Sequence, residues 1–380
     1  MRHDEPTHEF RTQLRESLSR LMQRQYDFES RQRFRREAPG YSTEAWAAYA
    51  ELGLLALGVS EEGGGLGGGL GDLGAALDVL GGALALEPLL PSVVFGARLI
   101  DRFGSPQQKA LWAPGLLSGA CIASLAHIES EGRYGLGVRA TTARRDGAHW
   151  VLDGSKQAVE GGGAAGLLVV SARMDGGGTG LFLVEADAPG VTRTAGQAFD
   201  GLGLSEVGLD SVRLDPDALL GGMTDAAAVL DRAVDEAAAL QCADAVGAMR
   251  AANALTLDYV RTRKQFGGPI GGFQALQHRL VDMKIAEALA EAITQVALNA
   301  LDAEATDSGW RVSAAKVRCG QSARLIAQET VQMHGGMGLA EEYPAAHFFA
   351  RLGLFERRWG DGDHHLLRYA EATGADVKAT

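Results

Sequence analysis

The sequence predicts an α+β chain of three successive parts: helices, then short strands, then long helices. Three observations carry that reading. Apolar residues recur at helical spacing through the first third, the period shifts to short β-rich runs from about 121 to 216, and long Ala-rich runs almost free of breakers return from about 224. The expected domains are 1–120, helical; 121–217, a small antiparallel barrel or sandwich; and 218–380, a helical bundle.

Each part has its own signals. In HEFRTQLRESLSRLMQRQYDFES the residues Phe10, Leu14, Leu18 and Leu21 form one amphipathic stripe. A second stripe, TEAWAAYAELGLLAL, starts at Ser42-Thr43, both good helix N-caps. The chain has 51 glycines, and their cluster in GVSEEGGGLGGGLGDLG marks a loop before helical patterning resumes. HWVLDG, GLLVVSAR and GLFLVEAD then read as strands bounded by Gly, Asp and Ala-Pro-Gly, with no helical run between them. The last part holds one long helix from about 224 and two more over roughly 276–301 and 309–334.

Composition excludes several classes of function. Apolar residues are 46% and charged residues 22%, which rules out wholesale disorder. Lys plus Arg number 36 against 48 Asp plus Glu, a net charge of -12, which disfavours binding to nucleic acid through the overall field. No apolar run approaches the roughly 20 residues that span a bilayer. The start, MRHDEPTHEF, is charged and lacks the apolar stretch of a signal peptide. Cys121, Cys242 and Cys319 are far apart and odd in number, so neither a disulfide framework nor a zinc site is expected. A cytoplasmic protein without nucleic-acid or membrane partners follows as the expectation.

The C-terminal motifs narrow the field. RTRKQFGGPIGGFQALQHRLVDM (261–283) and QMHGGMGLAEEYP (332–344) resemble the two flavin signatures of the acyl-CoA dehydrogenase family in residue order and spacing. Weaker echoes run along the chain in LGVSEEGGGLG, FGSPQQK and GLGLSEVGLDSVRLDPDALLGG. The resemblance implies an N-terminal helical domain, a middle β domain and a C-terminal four-helix bundle. It also implies α,β-desaturation of an acyl-CoA thioester with FAD. A carboxylate base of tuned pKa must reach the α-proton, and the cofactor takes the β-hydrogen as hydride.

By that resemblance Arg263 and Gln274 reach the FAD of a neighbouring subunit, with Phe266 packing nearby. A guanidinium suits a pyrophosphate because its planar fork donates to two oxygens at once. Gln332, Gly335 and Gly336 belong with them, since glycines let the backbone approach a dinucleotide closely. The plain alternatives are a solvated arginine at a helix end and a helix-terminating glycine turn.

The middle domain departs from the family pattern. Where relatives carry a Thr-Glu-Pro-x-x-Gly-Ser-Asp-like segment, this chain has SLAHIESEGRYG (124–135), with Ala126 and His127 near the Thr-Glu position. The Trp-Ile-Thr-Asn-like run reads AVEGGG (158–163), with Ala158 at the aromatic position and Glu160 at the Thr position. Most of the subunit's own grip on the flavin ring is expected to be missing.

The base is open at this stage. Counting back from Arg368 puts Asp361 at the family's Glu, whereas counting forward from Arg351 puts Gly360 there. The alternative base position on the long helix is Ala237, with Glu236 beside it and Ala238 replacing the following Arg. Asp361 stands either as a working base or as a loop or interface carboxylate. His364, His365 and His334 lack zinc spacing, and His364 and His365 read better as lining the flavin edge or an interface. His127, near Glu129 and Glu131, is expected to be a surface-loop histidine unless it serves as an acid or base.

One good half-site and one eroded half-site, together with the GDGDHH segment, resemble the site-degenerate subunit of heterotetrameric (α2β2) acyl-CoA dehydrogenases acting on steroid or bile-acid side chains. The implied partners are a homologous catalytic subunit, the acyl-CoA and an electron-transfer flavoprotein. The alternatives are a self-sufficient homo-oligomeric dehydrogenase or oxidase using Asp361, and a flavin-free scaffold.

Overall fold

The computed structural model describes residues 4–138 and 140–374, with side chains from residue 8 onward. The first three residues of the charged N-terminal stretch lie outside the described residues. The helices are α1 (Asp4–Gln25), α2 (Phe28–Arg36), α3 (Thr43–Glu51), α4 (Leu70–Gly82), α5 (Leu89–Pro91), α6 (Leu99–Phe103), α7 (Pro106–Leu117), α8 (Ala227–Thr262), α9 (Gln274–Asp302), α10 (Ser308–His334), α11 (Pro344–Phe355) and α12 (Gly362–Thr373). Ser42 caps α3 as expected, its Oγ accepting from the Ala45 N–H at 3.1 Å. The glycine-rich segment is indeed the loop leading into α4. Between α5 and α6 the helical path widens to π geometry over Ser92–Arg98.

The chain gathers into two compact units: residues up to 32, 70–85 and from 238 onward in one, and residues 33–69 and 86–237 in the other. In the first, α10 packs on α9, α11 and α12, and α4 packs on α1 and α9. Asp302, at the end of α9, caps α4 by accepting from the Leu70 and Gly71 N–H groups at 2.7 and 3.0 Å. The approach of α4 to α8 depends on two glycines. A Cβ at Gly81 would overlap the backbone oxygen of Asp244, and one at Gly247 would overlap that of Asp78. A backbone oxygen cannot swing aside as a flexible side chain can. Gly247→Ala is therefore expected to destabilise this unit by about 3 kcal/mol, visible as a lower urea midpoint.

The second unit is built on a seven-stranded curled sheet ordered β1-β4-β2-β3-β7-β6, with β5 on β4. Its strands are β1 (Ala123–Ala126), β2 (Thr142–Asp146), β3 (His149–Glu160), β4 (Leu167–Met174), β5 (Thr179–Glu185), β6 (Val191–Gln197) and β7 (Gly203–Leu214). The sheet is mixed and not purely antiparallel, because β4 runs parallel to both β1 and β2. β4 sits between β1 or β2 on one side and β5 on the other and is buried on both faces. Its near-continuous apolar run, LLVVSA, fits that position. Trp150, Leu152, Val170, Phe182 and Val212 centre the core.

Candidate functional site

The bundle unit carries the residues of both flavin signatures. Between α8 and α9 the chain forms a two-stranded hairpin, Lys264–Gln265 with Gly268–Pro269. The Ile270 N–H donates to the Arg263 carbonyl at 2.9 Å and closes its base. Its tip is Phe266 at φ +55° followed by Gly267 at φ +91°. A phenylalanine in the left-handed region is uncommon and costs energy, which marks the tip as a place where conformation serves a purpose. Phe266 is 89% exposed and meets Phe273 edge-on at 6.1 Å. Gln274 opens α9.

Arg263, Gln274 and Gln332 are all exposed. Among the described residues, their side chains have no hydrogen-bond or ion-pair partner. At the end of α10, His334 is buried, with Nδ1 bonded to the Thr330 carbonyl at 2.7 Å and its ring 4.3 Å from that of Tyr259. The turn that follows places Gly335 at φ 60°, ψ -138°, a conformation essentially reserved for glycine. No atom lies within 4 Å of where a Cβ would stand at Gly335 or Gly336. This surface fits a dinucleotide: an uncommitted guanidinium, two amide side chains and a bare backbone.

Running along α9, Val281, Ile285, Leu289 and Val296 are 42–56% exposed at spacings of four, four and seven residues. An apolar stripe of this length on one helix face marks an interaction surface. Ile285→Asp is expected to weaken assembly with a partner by at least tenfold, read by size-exclusion chromatography across a dilution series.

The middle unit does not offer the matching half. The start of the segment after β1 folds inward, while Ser130, Glu131 and Arg133 beyond it are exposed. Ala126 and His127 are buried, and His127 Nδ1 bonds the Ser171 hydroxyl at 2.8 Å. Lys156, from β3, is fully buried, and its ammonium donates to Glu129 Oε1 at 2.9 Å, the His127 carbonyl at 3.2 Å and Ser171 Oγ at 3.3 Å. Glu129 in turn accepts from the N–H groups of Ala140 and Thr141 at 2.9 and 2.8 Å. His127 is thus a core histidine and not a surface-loop one, because the Lys156–Glu129 pair draws the start of the loop beneath the sheet.

The electrostatics follow from burial. Burial and the neighbouring Lys156 push the His127 imidazole down to about 4. Burial takes Lys156 down to about 8 against the pull of Glu129. Burial raises the Glu129 carboxyl, but the donors from Ala140, Lys156 and Thr141 outweigh it and hold it well below the usual range. A histidine whose pKa is lower folded than unfolded binds its proton more readily in the unfolded chain, so its contribution is lost on acidification. Stability of this unit is expected to fall by about 2 kcal/mol between pH 6.5 and 5. Thermal melts across that range check it, and His127→Gln flattens the slope.

The AVEGGG segment is likewise reshaped. Ala158 is exposed at φ +49° in a bulge of β3, and Arg193 donates to the carbonyls of Gly162 and Ala165 at 3.1 and 2.8 Å. A cavity of about 500 Å³ opens beside Glu160 and Gly163.

The carboxylates weighed as bases have other occupations. Asp361 is the N-cap of α12, with Oδ1 accepting from the His364 N–H at 2.9 Å. Gly360 lies at φ +105° and packs against His364 and His365, leaving no room for a side chain. Ala237 and Ala238 are fully buried. Glu236, 4% exposed, is shared by Arg98 at 3.1 Å, Arg102 at 3.2 Å and Arg232 at 3.2 Å. His365 does not line an edge. It is buried, bonded to Ser313 Oγ at 3.2 Å and the Trp359 carbonyl at 2.9 Å, and burial, then Lys316, pushes it down to about 3. Among the described residues no group of three His, Cys, Asp or Glu side chains is placed to hold a metal ion, and no helix is long and apolar enough to cross a membrane.

Helical flanks, a curled middle sheet and a bundle bearing a flavin-type glycine turn define an acyl-CoA dehydrogenase architecture. Family models of the acyl-CoA dehydrogenase N-terminal, middle and C-terminal domains match residues 8–120, 125–215 and 227–372. The chain belongs to the acyl-CoA dehydrogenase family, which places it among FAD-dependent oxidoreductases acting on a CH–CH bond. It is 33% identical to acyl-CoA dehydrogenase FadE12 of Mycobacterium tuberculosis over 318 residues, 80% of this chain and 81% of that protein. Among solved structures it resembles a chain of the ChsE4–ChsE5 complex of Mycobacterium tuberculosis (TM-score 0.88, 27% identity, covering 97% and 98% of the two chains). It also resembles a chain of the Tcur3481–Tcur3483 steroid acyl-CoA dehydrogenase (TM-score 0.87, 30% identity, 97% and 99%).

Proposed function

We propose that this chain is the site-degenerate subunit of an α2β2 acyl-CoA dehydrogenase. In this reading Arg263, Phe266, Gln274, Gln332, Gly335 and Gly336 complete, across an interface, an FAD site housed mainly by a homologous catalytic subunit. One contrast carries it: at the start of the loop that would face a flavin ring, His127 and Glu129 are turned inward onto Lys156, while the bundle's donors stand exposed and uncommitted. Bound FAD would supply the hydride acceptor. Arg263 would neutralise its pyrophosphate, and Gly335-Gly336 would let the backbone lie against it. Asp361, spent as a helix cap, would take no part in proton abstraction, which falls to the partner. The three-part division at about 120 and 217 belongs to the same reading.

A steroid side-chain acyl-CoA as substrate is supported by the resemblance to a steroid acyl-CoA dehydrogenase. An electron-transfer flavoprotein as acceptor is expected from the family, and the cytoplasm as location is supported by the three scattered, unpaired cysteines. The test is the visible spectrum of the chain purified alone and then with its homologous partner. A colourless chain and a complex with about half an FAD per polypeptide agree with the reading. A yellow chain holding one FAD and bleached by acyl-CoA sinks it, and Asp361→Asn then tests the self-sufficient alternative. If the complex too is colourless, the scaffold reading stands instead.

A further inference from the structure

Ser313, Lys316, Gly320 and Arg324 succeed one another at three- and four-residue spacing on α10 and form one of its faces. That face holds the whole segment between α11 and α12. The Lys316 ammonium, 3% exposed, donates to the Phe355 carbonyl at 3.1 Å, the Arg358 carbonyl at 2.7 Å and Gln241 Oε1 at 3.0 Å. It also lies 4.0 Å from the centre of the Phe355 ring. Gln241 donates to the same Phe355 carbonyl at 3.2 Å. Ser313 bonds His365, which donates to the Trp359 carbonyl. Arg324 forks onto Glu356 at 2.7 and 2.8 Å, and at Gly320 a Cβ would stand 3.2 Å from a Glu356 oxygen.

The held segment is strained. Trp359 at φ +56° and Gly360 at φ +105° are consecutive left-handed residues, and Asp361 follows directly as the cap of α12. For a tryptophan that conformation is costly and persists only where its surroundings enforce it. The Phe355 carbonyl ends α11 and the Arg358 carbonyl lies three residues beyond it, so the ammonium both satisfies that helix end and fixes where the chain leaves it. Cys242, Cys319, Arg358, Glu356 and His365 are the other titratable or charged groups facing Lys316.

We propose that Lys316 is the positioning residue of the Trp359–Gly360–Asp361 turn, the segment in which the family resemblance places the base. This hold on the turn does not rest on the assembled-site reading above. The test is hydrogen exchange of the full chain followed by mass spectrometry, with limited trypsin digestion. Lys316→Met is expected to speed exchange over 356–362, and cleavage after Arg357 and Arg358, by at least tenfold while α9 keeps its protection. Lys316→Gln, which retains a donor, should recover most of the difference and decides the matter if the Met variant does not fold. Unchanged protection over 356–362, or loosening spread evenly through the bundle, would each overturn the proposal. The exchange readout needs no flavin, so its failure is distinct from failure of the partner-subunit reading.

Discussion

Glu129→Gln is expected to lower the stability of the unit holding the sheet by about 3–5 kcal/mol. The substitution leaves the Lys156 ammonium at 0% side-chain exposure facing a neutral amide, with only the His127 carbonyl and Ser171 hydroxyl to replace the carboxylate. Desolvating both ions was costly when the fold formed, so the pair contributes little over an apolar substitute, but an orphaned partner bears that cost uncompensated. The companion change should show this. Glu129→Gln with Lys156→Met removes both charges and is expected to recover more than half of the loss, a coupling that two single substitutions at unrelated sites would lack. Urea unfolding of the four proteins measures it, and equal, additive losses would refute the account.

Arg263→Ala in the partner-bearing complex is expected to weaken FAD retention by about 10- to 150-fold, the range for removing a hydrogen bond to a charged group. The chain's own folding should be untouched, because Arg263 is exposed and its side chain has no hydrogen bond or ion pair to lose among the described residues. Dilution of the complex followed by flavin fluorescence reads the release. Arg263→Lys should restore only part of the affinity, since an ammonium keeps the charge and loses the two-pronged geometry. Retention equal to wild type would remove Arg263 from the site.

Much of the architecture was legible because its signals are local. The helical stripe of α1, the Ser42 cap and the apolar run of β4 each depend on neighbours within a few residues, although the buried face of α1 is Leu14, Leu18 and Met22, with Leu21 half-buried and Phe10 exposed. The parallel placement of β4 was not legible, since pairing Leu167 with Ala123 joins residues far apart in sequence and nothing in either strand names its partner. The site divides the same way. Arg263 through Gln274 and the Gly335-Gly336 turn form contiguous motifs. By contrast, Lys156 meets Glu129 across 27 residues and Lys316 meets Arg358 across 42. Both lysines read as ordinary charged positions until the fold buries them. Asp361 shows the reverse limit: spacing brought it to a family position, whereas its use as a cap is set by the path of the chain into α12.

The knot of Lys156, Glu129, His127 and Ser171 also governs reversibility. To regain a donor-bearing loop, the chain would have to withdraw Glu129 from the N–H groups of Ala140 and Thr141, and His127 from Ser171, while finding a new counter-ion or an apolar replacement for Lys156. Each step taken alone strands a buried polar group, and the gain arrives only when all are complete. On the partner-subunit reading proposed above, single substitutions would therefore not restore a donor-bearing loop, and the dependence on a catalytic partner would be hard to reverse.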